Sequence, residues 1–221
     1  MQRTPIRTVL LTGFDAFGGD AVNPSWLAVE RLRGEILAGH RVETAQLPTA
    51  FERAPQALRA AIRRHRPALV LCIGQAGGRS AISFERVAIN VIDARIPDND
   101  GAQPVDAPVA KGGPAAYFST LPIKSLRAAL LAAGIPAEIS QTAGTFVCNQ
   151  VFYALMRALA RMPAPRPRGG FVHVPFLPEQ VDTRPGTPSM PLDTIVVGLR
   201  TAIGTALRTK RDLRTAGGET H

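Results

Sequence analysis

The chain has 221 residues, 19% of them charged, a formal net charge of +9 and two cysteines. That length suits one compact domain burying about 70% of its unfolded surface, so folding needs neither disulfides nor a metal. Two cysteines exclude a disulfide framework, and no apolar run is long enough to span a membrane; residues 1–7 lack a signal peptide's apolar core, so free thiols without an export signal predict a cytoplasmic protein.

In chain order, residues 8–12 read as a short buried strand and 13–19 (Gly-Phe-Asp-Ala-Phe-Gly-Gly) as the loop after it. Asn23 as N-cap and Pro24 at the first helical position open a helix. Residues 42–47 form a second strand, and 51–65 a helix with Ala54, Leu58 and Ile62 on one face. The apolar run 68–73 is a third strand, in which Cys72 is a small core hydrophobe. A Gly-rich loop, 74–79, follows. Residues 83–92 alternate in part and read as one strand, and 93–113, rich in Pro, Gly and Asp, as a long surface excursion. A helix over 126–133, a strand over 137–140, a helix over 147–161, a strand over 170–174 and a helix over 192–207 complete the pattern, with a loose tail after 208.

Strands alternating with helices predict an α/β fold: a single domain over 1–221, with an open, twisted, mostly parallel sheet and helices on both faces. In such sheets the active crevice lies beyond the carboxyl ends of the strands. Four loops fall there on this reading: after Thr12, after Ile73, before Cys148 and after Val174. The positive charge is nearly all arginine, spread over helix faces (Arg59, Arg63, Arg64) and the C-terminal segment (Arg200, Arg208, Arg211, Arg214). With no zinc-finger spacing, no RNP-type motif and few aromatics, it reads as a solvated basic surface, and neither nucleic acid nor a membrane is expected as partner.

One segment has a chemical reason to carry a cysteine. Gly144 and Thr145 read as a turn and N-cap, which sets Cys148 in the first turn of the helix that follows. There the unpaired N–H groups and the positive end of the helix dipole favour a thiolate and lower a thiol pKa from about 8.5. A cysteine nucleophile needs a base and a group to orient it. His221 is terminal, and His40 and His65 lie in polar helix-end contexts. His173 sits near the end of an apolar strand and is the candidate base. For the orienting group, Glu85 interrupts a segment otherwise suited to burial. An ion pair with Arg86 or Arg79 explains it equally, and Asp93 and Asp98 are rivals. No dinucleotide fingerprint, P-loop lysine, nucleophile-elbow serine or zinc-type Cys/His cluster occurs, so no metal or other cofactor is expected.

These motifs resemble the pyroglutamyl peptidase I (pyrrolidone-carboxylate peptidase) family of cysteine peptidases over about residues 8–207. The resemblance rests on four segments in order: Gly13-Phe-Asp-Ala-Phe-Gly-Gly19 with Asn23-Pro24-Ser25; Gly74 through Asn90; Ser140-Gln-Thr-Ala-Gly-Thr-Phe-Val-Cys148-Asn149; and Gly170-Phe-Val-His173-Val-Pro-Phe-Leu-Pro-Glu-Gln180. It implies a triad of Cys148, His173 and Glu85, selecting Glu85 over its rivals. It implies removal of N-terminal pyroglutamate from peptides through an acyl-enzyme, with the oxyanion held by the Cys148 N–H and a donor near Arg95. It implies a pocket of Phe14, Phe17, Gln75, Ile96, Phe146 and Val147, and a homotetramer. Ala16 departs from the family's proline, which puts the rigidity of that loop in question. Two other classes stand beside this reading. One is a different cysteine amide hydrolase on the same fold, and the other a non-enzymatic basic module that binds nucleic acid.

Overall fold

The computed structural model describes residues 6–218. In chain order the elements are β1 (Arg7–Phe14), α1 (Pro24–Arg31), β2 (Ile36–Leu37), β3 (His40–Leu47), α2 (Arg53–His65), β4 (Leu69–Gln75), β5 (Ile82–Glu85), β6 (Val87–Ile89), β7 (Ala116–Phe118), α3 (Ile123–Ala132), β8 (Ala137–Ser140), α4 (Val147–Ala160), β9 (Arg168–Val174), α5 (Pro178–Val181) and α6 (Leu192–Arg208). The main sheet has the order β2-β3-β1-β4-β9-β5-β8, and β6 and β7 form a separate antiparallel pair. Strands β3, β1, β4 and β9 are parallel; β5 and β8 are parallel to each other but antiparallel to β9.

Strand periodicity divides the core into two layers. Val9 and Leu11 of β1, Leu69, Leu71 and Ile73 of β4, and Val172 and Val174 of β9 pack with apolar residues of α1, α3 and α6. Leu10, Val70, Cys72 and Phe171, the alternate residues, pack with Leu58 and Ile62 of α2 and Val151, Phe152 and Leu155 of α4. Both faces of the central strands are thereby covered, which is why they read as continuous apolar runs rather than alternating ones. The expected mostly parallel sheet with helices on both faces is what forms.

Several expectations need correction. The single strand over 83–92 is two strands in different sheets, broken at Arg86. The Arg86 N–H still donates to the Ser140 carbonyl, while its side chain reaches Gln141 and the Gly217 carbonyl. The chain then leaves the main sheet. The loop before Cys148 does not continue from a strand parallel to the centre, because β8 runs the other way; the chain returns from its end to reach the site. Helix α3 starts at Ile123, three residues before the predicted start, because Asp212 caps it from far along the chain. The Asp212 carboxylate accepts from the N–H groups of Lys124 and Ser125 and from the Ser125 hydroxyl. With Gly217 bound to Arg86, these contacts also tie down residues 212–217 of the tail expected to be loose, whose last three residues, 219–221, lie outside the described residues. The short β2, β7 and α5 carry too little periodicity to be read from sequence.

Candidate active site

The same alternation decides which strand residues look toward α4. On β9, Phe171 packs in the α2/α4 layer, so His173 follows on that side. On β4, Cys72 does the same and Gly74 follows. On β5, Ile82 and Phe84 enter the opposite layer, which turns Ser83 and Glu85 toward α4. Register then brings the set together, since Gly74 pairs with His173 across β4 and β9, and Ser83 with His173 across β5 and β9. Gly74 is required by the approach of the helix start: a Cβ there would lie 2.8 Å from Phe171 Cζ and 3.0 Å from Cys148 Sγ.

Glu85 is fully buried and accepts from His173 Nδ1 at 2.7 Å and from Arg79 Nη1 at 2.8 Å, both on Oε1. An ionised carboxylate only accepts, so Nδ1 carries the proton and Nε2 is left as the ring's acceptor. Burial alone would raise Glu85. The His173 hydrogen bond and the positive charge of Arg79 outweigh it and hold the carboxyl below the usual range. The ion pair and the orienting contact, opposed readings of Glu85 in sequence, are therefore both present, and the arginine is Arg79 rather than Arg86. Asp98 serves the excursion instead, accepting from the N–H groups of Phe51, Asp100 and Ala102. Asp93 is exposed and meets Thr145 through its carbonyl. Neither rival is placed beside His173.

Cys148 is the second residue of α4, as expected, but two details of the sequence reading change. The N-cap is Phe146, with no side-chain cap, and the Thr145 hydroxyl donates to Asp93 instead. The first-turn N–H groups of Val147, Cys148 and Asn149 therefore have neither an intrahelical acceptor nor a capping side chain. The Cys148 side chain is half-buried and faces the cleft. Removal from water pushes the thiol up to about 12, the Glu85 charge adds to this, and Arg79 opposes it. These influences favour the neutral thiol, so the carboxylate-oriented imidazole is placed to take its proton as the sulfur attacks.

Cys148 and His173 line one cleft of about 380 Å³, together with Phe14, Phe17, Gln75 and Phe146 from the expected pocket. Phe17 and Phe146 tilt against each other with ring centroids 5.3 Å apart, and Phe51 buttresses Phe146 edge-on at 5.0 Å. Three expected residues lie elsewhere. Val147 is fully buried in the α2/α4 layer, because the helix start turns its side chain inward. Ile96 is 45% exposed, and with the exposed Arg95 it sits on the excursion outside the cleft wall. Asn23, Thr49, Arg79, Thr142 and Gly144 line the cleft without having been foreseen as such. Asn23 was legible only as an N-cap and Arg79 only as one possible partner of Glu85. The first loop is held despite Ala16: Asn99 Nδ2 donates to the Ala16 carbonyl at 2.9 Å, Asn23 Nδ2 to the Asp15 carbonyl at 2.9 Å, and the Thr49 N–H to the Asp15 carboxylate at 2.7 Å.

Known proteins share this arrangement of chain. The family model Peptidase_C15, pyroglutamyl peptidase, matches residues 7–209. A pyrrolidone-carboxylate peptidase of Cupriavidus taiwanensis is 56% identical over 97% of this chain and 99% of its own. One from Erwinia tasmaniensis is 53% identical over 98% and 100%. Among solved structures, pyroglutamyl peptidase I of Bacillus amyloliquefaciens superposes with a TM-score of 0.90 at 49% identity, covering 94% of this chain and 100% of that one. A mutant pyrrolidone carboxyl peptidase from Pyrococcus furiosus gives 0.87 at 41% identity, covering 90% and 98%. The matched span contains the strands and helix that carry Glu85, Cys148 and His173, and the similarity is near-complete in both directions: the chain belongs to the pyroglutamyl peptidase family.

Proposed function

We propose that this protein is a cysteine peptidase that removes N-terminal pyroglutamate from peptides, with Cys148 as nucleophile, His173 as base and then acid, and Glu85 as the group that orients His173. The observation that carries the reading is the 2.7 Å Glu85–His173 contact, set beside Cys148 in a cleft walled by Phe14, Phe17 and Phe146. As Cys148 Sγ attacks the pyroglutamyl carbonyl, its proton passes to His173 Nε2, and Glu85 stabilises the imidazolium that forms. The tetrahedral oxyanion is held by the free first-turn N–H of Cys148, where the helix dipole also favours negative charge. A further donor from the Arg95 segment, implied by family resemblance, would have to come in from the excursion. His173 returns the proton to the leaving amine as the C–N bond breaks. Water, deprotonated by His173, then attacks the thioester, which releases 5-oxoproline and restores the thiol.

The cyclised end of the substrate is a neutral lactam, so its slot needs apolar walls and a few hydrogen bonds and no counter-charge. Phe14 and Phe17 flank that slot, and Gln75 supplies a polar group. A proline residue lacks the lactam carbonyl and would leave that polar group unpaired, which favours strong rejection. Ile96, on the exposed excursion, would have to come in to meet the substrate, as the family resemblance implies. We further propose a cytoplasmic homo-oligomer, a tetramer by resemblance. Exposed apolar side chains at Ile36, Val105 and Phe118 are consistent with self-association, and no described helix is long and apolar enough to cross a membrane.

Hydrolysis of pyroglutamyl-aminocoumarin beside a panel of other aminoacyl amides, with and without a thiol alkylator, tests the reading. Selective cleavage of the pyroglutamyl amide, lost on alkylation and protected by a pyrrolidone analogue, is expected. Comparable cleavage of the prolyl amide would overturn the specificity, and retained activity after alkylation of Cys148 would overturn the nucleophile.

A further inference from the structure

The Glu85–His173 pair does not stand alone. Arg79, on the loop between β4 and β5, donates through Nη1 to Glu85 Oε1 at 2.8 Å and through Nη2 to the Thr142 carbonyl at 3.2 Å. Its side chain is only 24% exposed and lines the cleft. The two acceptors belong to different parts of the site. Glu85 ends β5 and orients the base, whereas Thr142 lies in the segment 141–146 that leads into the nucleophile's helix. Arg86, the other neighbouring cation, points to Gln141 and Gly217 and leaves the carboxylate to Arg79. Glu85 Oε2 has no partner among the described residues, so both contacts that fix the carboxylate fall on Oε1. Without Arg79 the carboxylate would keep one contact and could turn about its last torsion. Only a planar guanidinium fork meets both acceptors at once; a lysine ammonium is a single point charge.

We propose that Arg79 is a positioning residue of this site: it clamps the acid that orients His173 to the loop that delivers Cys148, so that base and nucleophile are aligned before substrate arrives. This rests on the function proposed above and deepens it. The clamp has an electrostatic counterpart. The charged and titratable groups that act on Cys148 are Glu85, Cys72 and Arg79, with His173 beside it in the cleft, and Arg79 is the one that opposes the upward push on the thiol.

Arg79→Gln, Arg79→Lys and Cys148→Ser are to be compared with the parent protein. Steady-state kinetics on pyroglutamyl-aminocoumarin and the pH dependence of iodoacetamide alkylation, mapped to Cys148 by mass spectrometry, are the two readouts. For Arg79→Gln, kcat falls about 10- to 100-fold, the span expected when a charge-assisted hydrogen bond is lost, with KM changed by less than about 3-fold. Its alkylation profile moves to higher pH. Arg79→Lys keeps the charge without the fork, so it restores the alkylation profile more fully than kcat. If Arg79→Gln stays within about 2-fold in kcat/KM with an unshifted profile, the inference is overturned. A fall in kcat matched only by a lower melting temperature, with an unshifted profile, overturns it as well, since that is loss of fold alone. Should Arg79→Gln fail to fold, Arg79→Lys carries the test: kcat and profile both unchanged from the parent would show that no clamp is needed. Cys148→Ser separates the two levels. If it is inactive while the Arg79 variants are normal, the inference fails and the proposed function stands; if it retains activity, the proposed function itself fails.

Discussion

Replacing Glu85 by Gln is the most informative single change at the site, because it keeps the shape and removes the charge. Glu85 is fully buried, so no water can take over its role. When His173 accepts the thiol proton, the imidazolium sits 2.7 Å from a full negative charge. With Gln the best remaining contact is a neutral hydrogen bond. The loss is about 1–2 kcal/mol from the hydrogen bond alone, and about 4 kcal/mol for opposite charges some 4 Å apart at an effective dielectric of about 20. The charge also helps fix Nδ1 as the protonated nitrogen, so part of the Glu85→Gln population would hold the ring in the wrong tautomer. We expect kcat to fall by about 10³ to 10⁴, at the upper end of the usual range for general acid–base catalysis, and KM to move little because Glu85 lies behind His173 rather than in the cleft wall. Equilibrium unfolding against pH gives a second reading. The folded carboxyl lies below its unfolded value of 4.5, so its contribution to stability is present above 4.5 and is lost as pH falls through the lower folded value. Glu85→Gln should flatten that acid-side loss. A kcat within about 3-fold of the parent, or a rise in KM with kcat unchanged, would refute the reasoning.

Other consequences follow from single contacts. Gly74→Ala should fold yet lose about 10-fold or more in kcat, because its Cβ would press on Phe171 and on Cys148 Sγ; kinetics beside circular dichroism checks this. Cys72 is pushed up to about 12 by burial from 9.0, so its contribution to stability is intact below 9.0 and is lost as pH rises toward the folded value. By about pH 10 that loss is about 1.4 kcal/mol, and urea melts should show Cys72→Ala with a correspondingly shallower alkaline decline than the parent, although less stable at neutral pH. Asp212→Ala removes the cap of α3 and should cost about 1–2 kcal/mol in the same melts while kcat stays within about 2-fold, the cap being far from the cleft.

The layout of the molecule was legible because its central strands are buried on both faces and its longer helices carry an apolar stripe. Such patterns are local. What escaped the sequence depends on partners distant along the chain. The early start of α3 is dictated by Asp212, 88 residues away in one of its bonds. The break at Arg86 is dictated by Gln141 and Gly217. At the site, two residues stand out in the sequence by their chemistry: Cys148 at a helix start, and His173 as the histidine in an apolar strand. For Cys148 a helix start argues for a thiolate, whereas the burial and the Glu85 charge that push the thiol up appear only once the strands are paired. Family resemblance places Val147 in the pocket, yet the helix turn directs its side chain into the core. Arg79 had no signal of its own, because its meaning lies in joining Glu85 to Thr142 across two loops.

On this mechanism Cys148 becomes covalently acylated during turnover. Rapid acid quench of the enzyme with excess pyroglutamyl-aminocoumarin, followed by intact-mass and peptide mapping, tests it most directly. A fraction of enzyme heavier by one 5-oxoprolyl group is expected, located on Cys148, absent in Cys148→Ser and formed far more slowly in Glu85→Gln. Turnover by Cys148→Ser near the parent rate, or an acyl group mapped to another residue, would contradict it.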